Sequence, residues 1–101
     1  MENSSGIKDS AEKVSYQEIH WDFIKAMAQR LNANKDKYPP NNWKKDIDLR
    51  EIEDALLRHV FALISPKPSD SEDSLDHLAA IAVNSQIIYY HLTKNNESQN
   101  Q

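Results

Sequence analysis

The amino-acid sequence predicts an all-α fold, a compact unit of three helices. Three segments carry apolar residues at the three- and four-residue spacing of amphipathic helices, and two connections rich in proline, asparagine or acidic residues separate them. The single glycine, Gly6, lies near the N-terminus, so the glycine-rich phosphate loops of Rossmann and Walker folds are excluded. A length of 101 residues fits one domain.

Ser15 marks the predicted start of the first helix, because Ser15 and Glu18 have the spacing of a capping box. Apolar side chains then recur every four residues, at Ile19, Phe23, Met27 and Leu31. Asparagines and prolines follow, and they end the helix near Leu31 or Ala33.

Asp48 marks the predicted start of the second helix, since Asp48 and Glu51 repeat the capping spacing. The apolar face that follows comprises Leu49, Ile52, Leu56, Val60 and Leu63. The prolines of segment 65–68 end this helix abruptly. On its polar side, Asp54 and Arg58 stand one turn apart and can pair.

The third helix is predicted from Leu75 onward, after the acidic stretch SDSEDS. Three residues there could supply the N-terminal cap: Ser71, Asp73 and Ser74. Apolar residues lie on more than one side of this helix, since Val83 falls outside the main stripe. The helix is therefore either the centre of the fold or the interface of a homo-oligomer.

The folded domain is predicted to span residues 15–93. The segments 1–14 and 94–101 are polar and short of large apolar side chains, so neither buries enough surface to offset the entropy lost on ordering. We expect both segments to be disordered tails.

Composition excludes several classes of site and partner. Without cysteine, the chain has no disulfide, thiolate metal site or cysteine nucleophile. It has no apolar run of about 20 residues and no signal-peptide pattern, so we expect a cytoplasmic protein that does not enter a membrane. A net charge of −4 disfavours duplex nucleic acid, whose binding requires a basic face. Lysines crowd the first connection, which suits a small anion instead.

The stiff connection KYPPNNWKK, residues 37–45, combines aromatic and cationic side chains around two prolines. We interpret Trp43 as a lid whose buried ring anchors this loop on the helices, whereas Tyr38 fits either a lid or a stacking contact with a nucleobase. The lysines are either a solvated face or the grip on a polyphosphate. We expect Lys37 and Lys44 to face the second and third helices across a shallow pocket.

Two histidines on these helices could carry chemistry. His59 adjoins Arg58 and His77 follows Asp76. An imidazole at either place could bind a metal, transfer a proton, bind a phosphate or pack at the edge of the core. Asn84 lies two turns after His77 on the same face, where its amide either bonds another helix or contacts a base or ribose. We expect Arg58, His59 and His77 to complete the pocket.

The order KYPPNNWKK, DALLRH and DSLDHLAAIAVN resembles the dATP/dGTP diphosphohydrolase N-terminal domain family, which is common in phage genomes. The resemblance covers nearly the whole folded unit, and the chain departs from the family pattern at Ala80, where a second histidine is frequent. The matching positions are Lys37, Tyr38, Asn42, Trp43, Lys44, Asp54, Arg58, His59, Asp73, His77 and Asn84.

The resemblance implies a phage-type nucleotide-metabolism protein that binds a purine deoxynucleotide or another small phosphate ligand. An active version would hydrolyse the nucleotide to monophosphate and pyrophosphate. In that version His59 or His77 would move the proton, and Asp54 and Asp73 would hold Mg²⁺. The nucleotide and its phosphates would be bound by Lys37, Tyr38, Asn42, Lys44, Arg58 and Asn84.

The resemblance leaves enzyme activity open. Related helical pyrophosphohydrolases hold magnesium with the pattern EExxE followed by ExxD, and the segment EIED supplies only part of this set, so an oligomer would have to complete it. The alternative is a non-catalytic phage protein in the host cytoplasm that sequesters a nucleotide signal or binds and inhibits a host protein.

Overall fold

The computed structural model describes residues 13–33, 36 and 39–99, with side chains up to 96. These ranges contain three α-helices: α1 (Trp21–Asn32), α2 (Leu49–Ile64) and α3 (Ser74–Gln99). One turn of 3-10 helix, Asn42–Lys44, lies between α1 and α2. No strand occurs within these ranges, so the predicted all-α fold is confirmed. None of the described helices combines the length and the apolar content that a membrane span needs.

The first helix begins later than predicted. Ser15 lies before it, in a turn where the Ser15 hydroxyl accepts a hydrogen bond from the Gln17 amide at 3.4 Å. The helix starts only at Trp21. A serine hydroxyl can close a local turn as readily as it caps a helix, which is why the capping box expected at Ser15 and Glu18 was wrong. The end at Asn32 agrees with the prediction.

Aspartates begin the other two helices: Asp48, as predicted, and Asp73, which was one of three candidate caps. The Asp48 carboxylate accepts a 3.0 Å hydrogen bond from the Arg50 amide at the start of α2. At the start of α3, Asp73 and Asp76 each accept a hydrogen bond from the other's amide, at 2.9 and 3.0 Å. This exchange is a capping box with a carboxylate at both positions. The end of α2 at Ile64, just before the prolines, is also confirmed.

The third helix extends beyond the domain boundary predicted at residue 93. It continues through the polar residues after Thr93 as far as Gln99. Adding residues to an existing helix gains one backbone hydrogen bond each and needs no new nucleus, so a polar sequence can extend it without an apolar face. Of the predicted N-terminal tail, residues 1–12 lie outside the described residues.

The centre of the fold is α3. It packs against α1, α2 and the 3-10 turn, whereas α1 and α2 do not approach each other closely along their backbones in the described chain. The buried apolar side chains of the described residues all belong to this helix: Ala79, Ala80, Val83 and Ile87. Small alanines allow the neighbouring helices to approach its axis. The central position that the sequence offered as one alternative is therefore observed.

Candidate functional site

A pair of histidines lies where α2 packs against α3. His59 projects from α2 and His77 from the first turn of α3, and their Nδ1 atoms are 2.8 Å apart. The ring centroids are separated by 5.1 Å and the ring planes are tilted by 50°. His77 is only 5% exposed, which makes it the buried polar residue of the described core. His59 and His77, which the sequence analysis expected in one pocket, thus contact each other directly.

The acidic connection between α2 and α3 supplies two carboxylates to this pair. Nε2 of His77 donates a 2.6 Å hydrogen bond to Oδ2 of Asp70. Oε1 of Glu72 lies 3.9 Å from Nδ1 of His59 and 3.9 Å from Nδ1 of His77. The other oxygen of Asp70 accepts a 2.9 Å bond from the Glu72 amide, a local turn that fixes both side chains. The connection is therefore folded around the two imidazoles.

Arg30, in the last turn of α1, completes the cluster. Its Nη1 atom donates a 2.8 Å hydrogen bond to Oε2 of Glu72, and its Nη2 atom lies 3.4 Å from Nε2 of His59. Side chains from all three helices and from the acidic connection therefore meet at one place. We call His59, His77, Asp70, Glu72 and Arg30 the histidine cluster.

One arrangement of protons satisfies every hydrogen bond in the histidine cluster with both rings neutral. The carboxylate of Asp70 can only accept, so His77 carries its proton on Nε2 and has a lone pair on Nδ1. His59 then donates from Nδ1 to His77 and accepts at Nε2 from Arg30. The result is a continuous chain of hydrogen bonds from the guanidinium of Arg30 through both rings to the carboxylate of Asp70. These bonds determine which nitrogen of each ring carries the proton.

Burial and neighbouring charge set the protonation of this cluster. Burial, assisted by the positive charge of Arg30, lowers the pKa of His59 below its ordinary value of 6.5. The hydrogen bond from Arg30 lowers the pKa of Glu72. The Glu72 amide, followed by the His77 ring, lowers the pKa of Asp70. Near pH 7 the cluster therefore holds two ionised carboxylates and a neutral His59.

A pocket of about 380 Å³ opens beside the histidine cluster, at the C-terminal end of α2. Its lining comprises Arg58, Phe61, Ala62, Ser65, Lys67, Ser69 and Asp70. The Phe61 ring is 63% exposed. Because Asp70 lines this pocket and also bonds His77, a ligand in the pocket would contact the histidine cluster directly. We call it the Arg58 pocket.

A second and larger cavity, of about 830 Å³, lies between the end of α1 and the first connection. Arg30 and Glu72 form its wall on the side of the histidine cluster, and Asn42, a predicted nucleotide-binding residue, lies on the other wall. The cluster is thus bounded by one cavity at Asp70 and another at Glu72.

Trp43 fastens the first connection to α3, as predicted for a lid. Its ring packs edge-on against Tyr90 with 5.3 Å between centroids, and its carbonyl accepts a 2.8 Å hydrogen bond from Nε2 of His91. Asn41 enters the 3-10 turn with a φ of 63°, a left-handed conformation that asparagine tolerates better than most residues. His91 thus joins this loop to α3.

Lys44 is held away from His59 and His77. Its ammonium lies 5.3 Å from the centroid of the Trp43 ring and 5.6 Å from that of Tyr90, in cation–π contact with both. Because an α-helix rises about 1.5 Å per residue, Tyr90 lies about 20 Å further along α3 than His77. The shallow pocket in which Lys44 was expected to face His59 and His77 is therefore not formed. Lys37 and Tyr38, its other predicted members, lie outside the described residues.

The remaining predicted residues occupy separate places. Arg58 lines its pocket, and Asn84 is half-buried two turns after His77. Asp54 is exposed on α2, and no ion pair joins it to Arg58 in the described part of the chain. Such surface pairs contribute little, about 0.3 to 0.5 kcal/mol within a helix. Asp73 is engaged in capping α3.

Metal-ligand chemistry is concentrated at the histidine cluster. Among the described residues, the one group that brings three potential ligand atoms within 4.8 Å of one another comprises His59, Glu72 and His77. Asp54 and Asp73 do not belong to it, and their role as Mg²⁺ ligands stays a prediction.

Sequence reasoning missed Arg30, Asp70 and Glu72 as functional residues. The acids that precede His77 were interpreted as an acidic stretch with candidate helix caps. Among them, Asp73 does cap α3. Arg30 carried a weaker signal, its position one turn after Met27 on the buried side of α1. Only the packing of the helices shows that these three side chains meet the histidines.

Comparison with known proteins supports the resemblance found in the sequence. The model of the family described as dATP/dGTP diphosphohydrolase, N-terminal, matches residues 3–101 of the chain. Neither the curated proteins nor the solved structures contain a match. The matched range includes all three helices, the histidine cluster and both cavities. The chain belongs to the dATP/dGTP diphosphohydrolase N-terminal family.

Proposed function

We propose that this chain is a phage-type nucleotide-metabolism protein that binds the phosphate groups of a purine deoxynucleotide in the Arg58 pocket. Family membership supports a function in nucleotide metabolism. The observation that carries the assignment to this pocket is the shared residue Asp70, which lines the pocket and bonds His77 at 2.6 Å. A nucleotide bound there would place a phosphate next to groups that can move a proton.

The lining of the Arg58 pocket suits such a ligand. Arg58 and Lys67 supply two positive charges, and within the described residues neither forms an ion pair. A guanidinium can donate two parallel hydrogen bonds to a phosphate. The serine hydroxyls of Ser65 and Ser69 can donate further bonds. The exposed ring of Phe61 offers a face on which a purine can stack.

In the catalytic version, water attacks the α-phosphorus of the nucleotide. The bond to the bridging oxygen breaks, and a monophosphate and pyrophosphate leave. The proton of the water passes to the carboxylate of Asp70, which lines the pocket and accepts the 2.6 Å hydrogen bond from Nε2 of His77, so the His59–His77 pair acts through this carboxylate. Arg58 and Lys67 offset the negative charge that develops on phosphate.

A second candidate function is nucleotide sequestration without turnover. Hydrolysis assisted by two magnesium ions needs several carboxylates on facing helices. The metal-capable group found in the described part of the chain contains only one carboxylate, Glu72. The same pocket would then retain the nucleotide intact, which suits a small phage protein that removes a signal from the host.

A thermal-shift screen against dATP, dGTP and cyclic nucleotides, with and without Mg²⁺, tests the proposal. A ligand that binds only the folded state stabilises it by about 2.7 kcal/mol at 100 times its Kd, so the Tm rises. We expect a rise with dATP or dGTP. Chromatography of the mixture then separates the two candidates, because the enzyme yields monophosphate and pyrophosphate and the sequestering protein yields neither.

Arg58→Gln is the decisive variant for this screen, and Arg50→Gln is its matched control on the same helix. Arg50 is exposed at the start of α2, outside the lining of the Arg58 pocket. We expect the nucleotide-induced rise to disappear in the first variant and to persist in the second. Absence of any rise in the wild-type protein, or equal rises in both variants, would contradict the proposed pocket.

A further inference from the structure

We propose that His59, His77 and Glu72 bind a transition-metal ion of the Zn²⁺ class through the two Nδ1 atoms and Oε1. The site lies within the histidine cluster, on the side where the two rings face each other. It does not depend on the proposed nucleotide function, since a metal site of this kind can be structural or catalytic.

The spacing of the three atoms matches a metal ion. They form a triangle with sides of 2.8, 3.9 and 3.9 Å, and the point equidistant from all three lies about 2.1 Å from each. Zinc binds imidazole nitrogen at about 2.0 to 2.1 Å and carboxylate oxygen at about 2.0 to 2.2 Å. This point lies in the plane of the three atoms, whereas the ligand atoms of a tetrahedral ion at these bond lengths are about 3.3 Å apart, so binding requires the two Nδ1 atoms to separate by about 0.5 Å.

Two of the ligands are already oriented by other residues. Asp70 accepts the Nε2 proton of His77, which leaves the Nδ1 lone pair free for a metal. A metal-bound histidine commonly donates its second N–H to a carboxylate in this way. Glu72 has its Oε2 atom fixed by Arg30, so Oε1 is the oxygen that faces the rings. His77 is also buried, which restricts the rotation of its ring.

His59 is the ligand that must change. In the hydrogen-bonded pair its Nδ1 atom carries the proton, and metal binding moves this proton to Nε2. The Nε2 proton then faces Nη2 of Arg30, which lies 3.4 Å away in the metal-free arrangement. A small shift of this guanidinium nitrogen relieves the contact, and the bond from Nη1 to Glu72 can persist.

The ligand set selects the class of metal. Mg²⁺ and Ca²⁺ favour oxygen ligands, whereas two imidazoles with one carboxylate suit Zn²⁺, Co²⁺ or Ni²⁺. This differs from the Mg²⁺ that the family resemblance implied at Asp54 and Asp73. Three protein ligands leave a tetrahedral ion with one open position, which water or a phosphate oxygen can fill.

Titration with Co²⁺ and Zn²⁺ tests this site. The protein used is the full chain, without a histidine tag and after treatment with a chelator. We expect one ion per chain by calorimetry and the intense visible absorption of four-coordinate Co²⁺. His59→Gln should weaken binding at least 100-fold, and Asp70→Asn should weaken it about 10- to 100-fold. His20→Gln, an exposed histidine before α1, is the control and should bind as the wild type does.

A measurement on the wild-type protein keeps the test independent of the folding of variants. X-ray absorption of the Zn²⁺-loaded chain should show two imidazoles in the first coordination shell. Equal affinity of His59→Gln and wild type, no stoichiometric binding, or a spectrum without two imidazoles would each overturn the proposal.

Discussion

His77 is 5% exposed, and both of its ring nitrogens have polar partners, His59 on one side and Asp70 on the other. Its replacement removes packed volume from the core and leaves the Nδ1–H donor of His59 without an acceptor. Both effects are costly in protein interiors, because cavities and unpaired polar groups each lower stability.

We therefore expect His77→Ala to lower the free energy of unfolding by at least about 2 kcal/mol. Urea denaturation followed by circular dichroism measures the change. His20→Ala is the matched control, since His20 is exposed and its side chain caps no helix. Its effect should stay within about 0.5 kcal/mol. Equal stability of the two variants would show that the histidine pair contributes nothing to the fold.

Arg30 influences the histidine pair through charge. Its guanidinium is the largest electrostatic cause that lowers the pKa of His59, after burial, and its hydrogen bond is the main cause that lowers the pKa of Glu72. In the Arg30→Gln variant we expect the pKa of both residues to rise. An NMR titration of the His59 ring measures the first change, with Arg50→Gln as the control. An unchanged pKa would mean that Arg30 does not lie beside this ring.

At the level of single elements, the sequence predicted what depends on neighbouring residues. Asp48 caps its helix within three residues of its own position, so its pattern was sufficient, and for α3 the pattern limited the cap to three residues that include Asp73. The helix start predicted at Ser15 was wrong because a serine hydroxyl can stabilise a turn as readily as it caps a helix. The pocket position predicted for Lys44 was wrong because its ammonium lies against the rings of Trp43 and Tyr90. The outcomes at Asp48, Asp73 and Ser15 were decided by local competition, whereas the outcome at Lys44 also depends on Tyr90 of α3.

The candidate site depends on tertiary packing and was only half predictable. His59 and His77 were identified as candidates, but the 2.8 Å contact between them requires α2 and α3 to pack at one particular register. The contribution of Arg30 requires α1 to end beside the same place. No pattern within one segment carries that information, because the residues are far apart in the chain.

An exposed stripe on α3 predicts self-association. Leu75, Leu78, Tyr89 and Leu92 are exposed, and with Ala82 and Ser85 they follow the alternating three- and four-residue spacing of a helix seam. The small residues at its centre allow two helices to approach closely. We expect two copies of the chain to pair along α3, the homo-oligomer interface that the sequence analysis gave as one alternative for this helix.

Leu92→Lys should shift the protein toward monomer in sedimentation velocity. Leu57→Lys on α2 is the control, because Leu57 is 51% exposed and Leu92 is 50% exposed, so both changes place a charge on a similar surface. A wild-type protein that is monomeric at high concentration, or a control that dissociates equally, would contradict the seam.

For the whole molecule, the histidine cluster makes stability depend on pH. The pKa values of His59, Glu72 and Asp70 are all lowered by folding, so each group binds a proton more readily in the unfolded chain. Stability is therefore fully present above the ordinary pKa of each group and is lost as the pH falls. The loss begins below 6.5 for His59 and continues below 4.5 for Glu72 and 3.8 for Asp70.

Thermal melting of the wild type and of His59→Gln between about pH 8 and pH 5 compares the two proteins where the carboxyl groups stay ionised over most of the range, so the difference between them reports on His59. We expect the Tm to decrease with falling pH in the wild type and to decrease less in His59→Gln. A Tm that rises on acidification across this range would reverse the assigned sign.

The four histidines allow a direct test of the central claim, that a nucleotide binds beside the histidine cluster. His77 donates a hydrogen bond to Asp70, which lines the Arg58 pocket, and His59 contacts His77. By contrast, His20 precedes α1 and His91 bonds the Trp43 carbonyl further along α3. Long-range proton–nitrogen NMR spectra of the imidazole rings, recorded during titration with dGTP, report on all four. We predict saturable shifts at His59 and His77, with His20 and His91 unchanged. Shifts confined to His91, or none at any ring, would contradict the account.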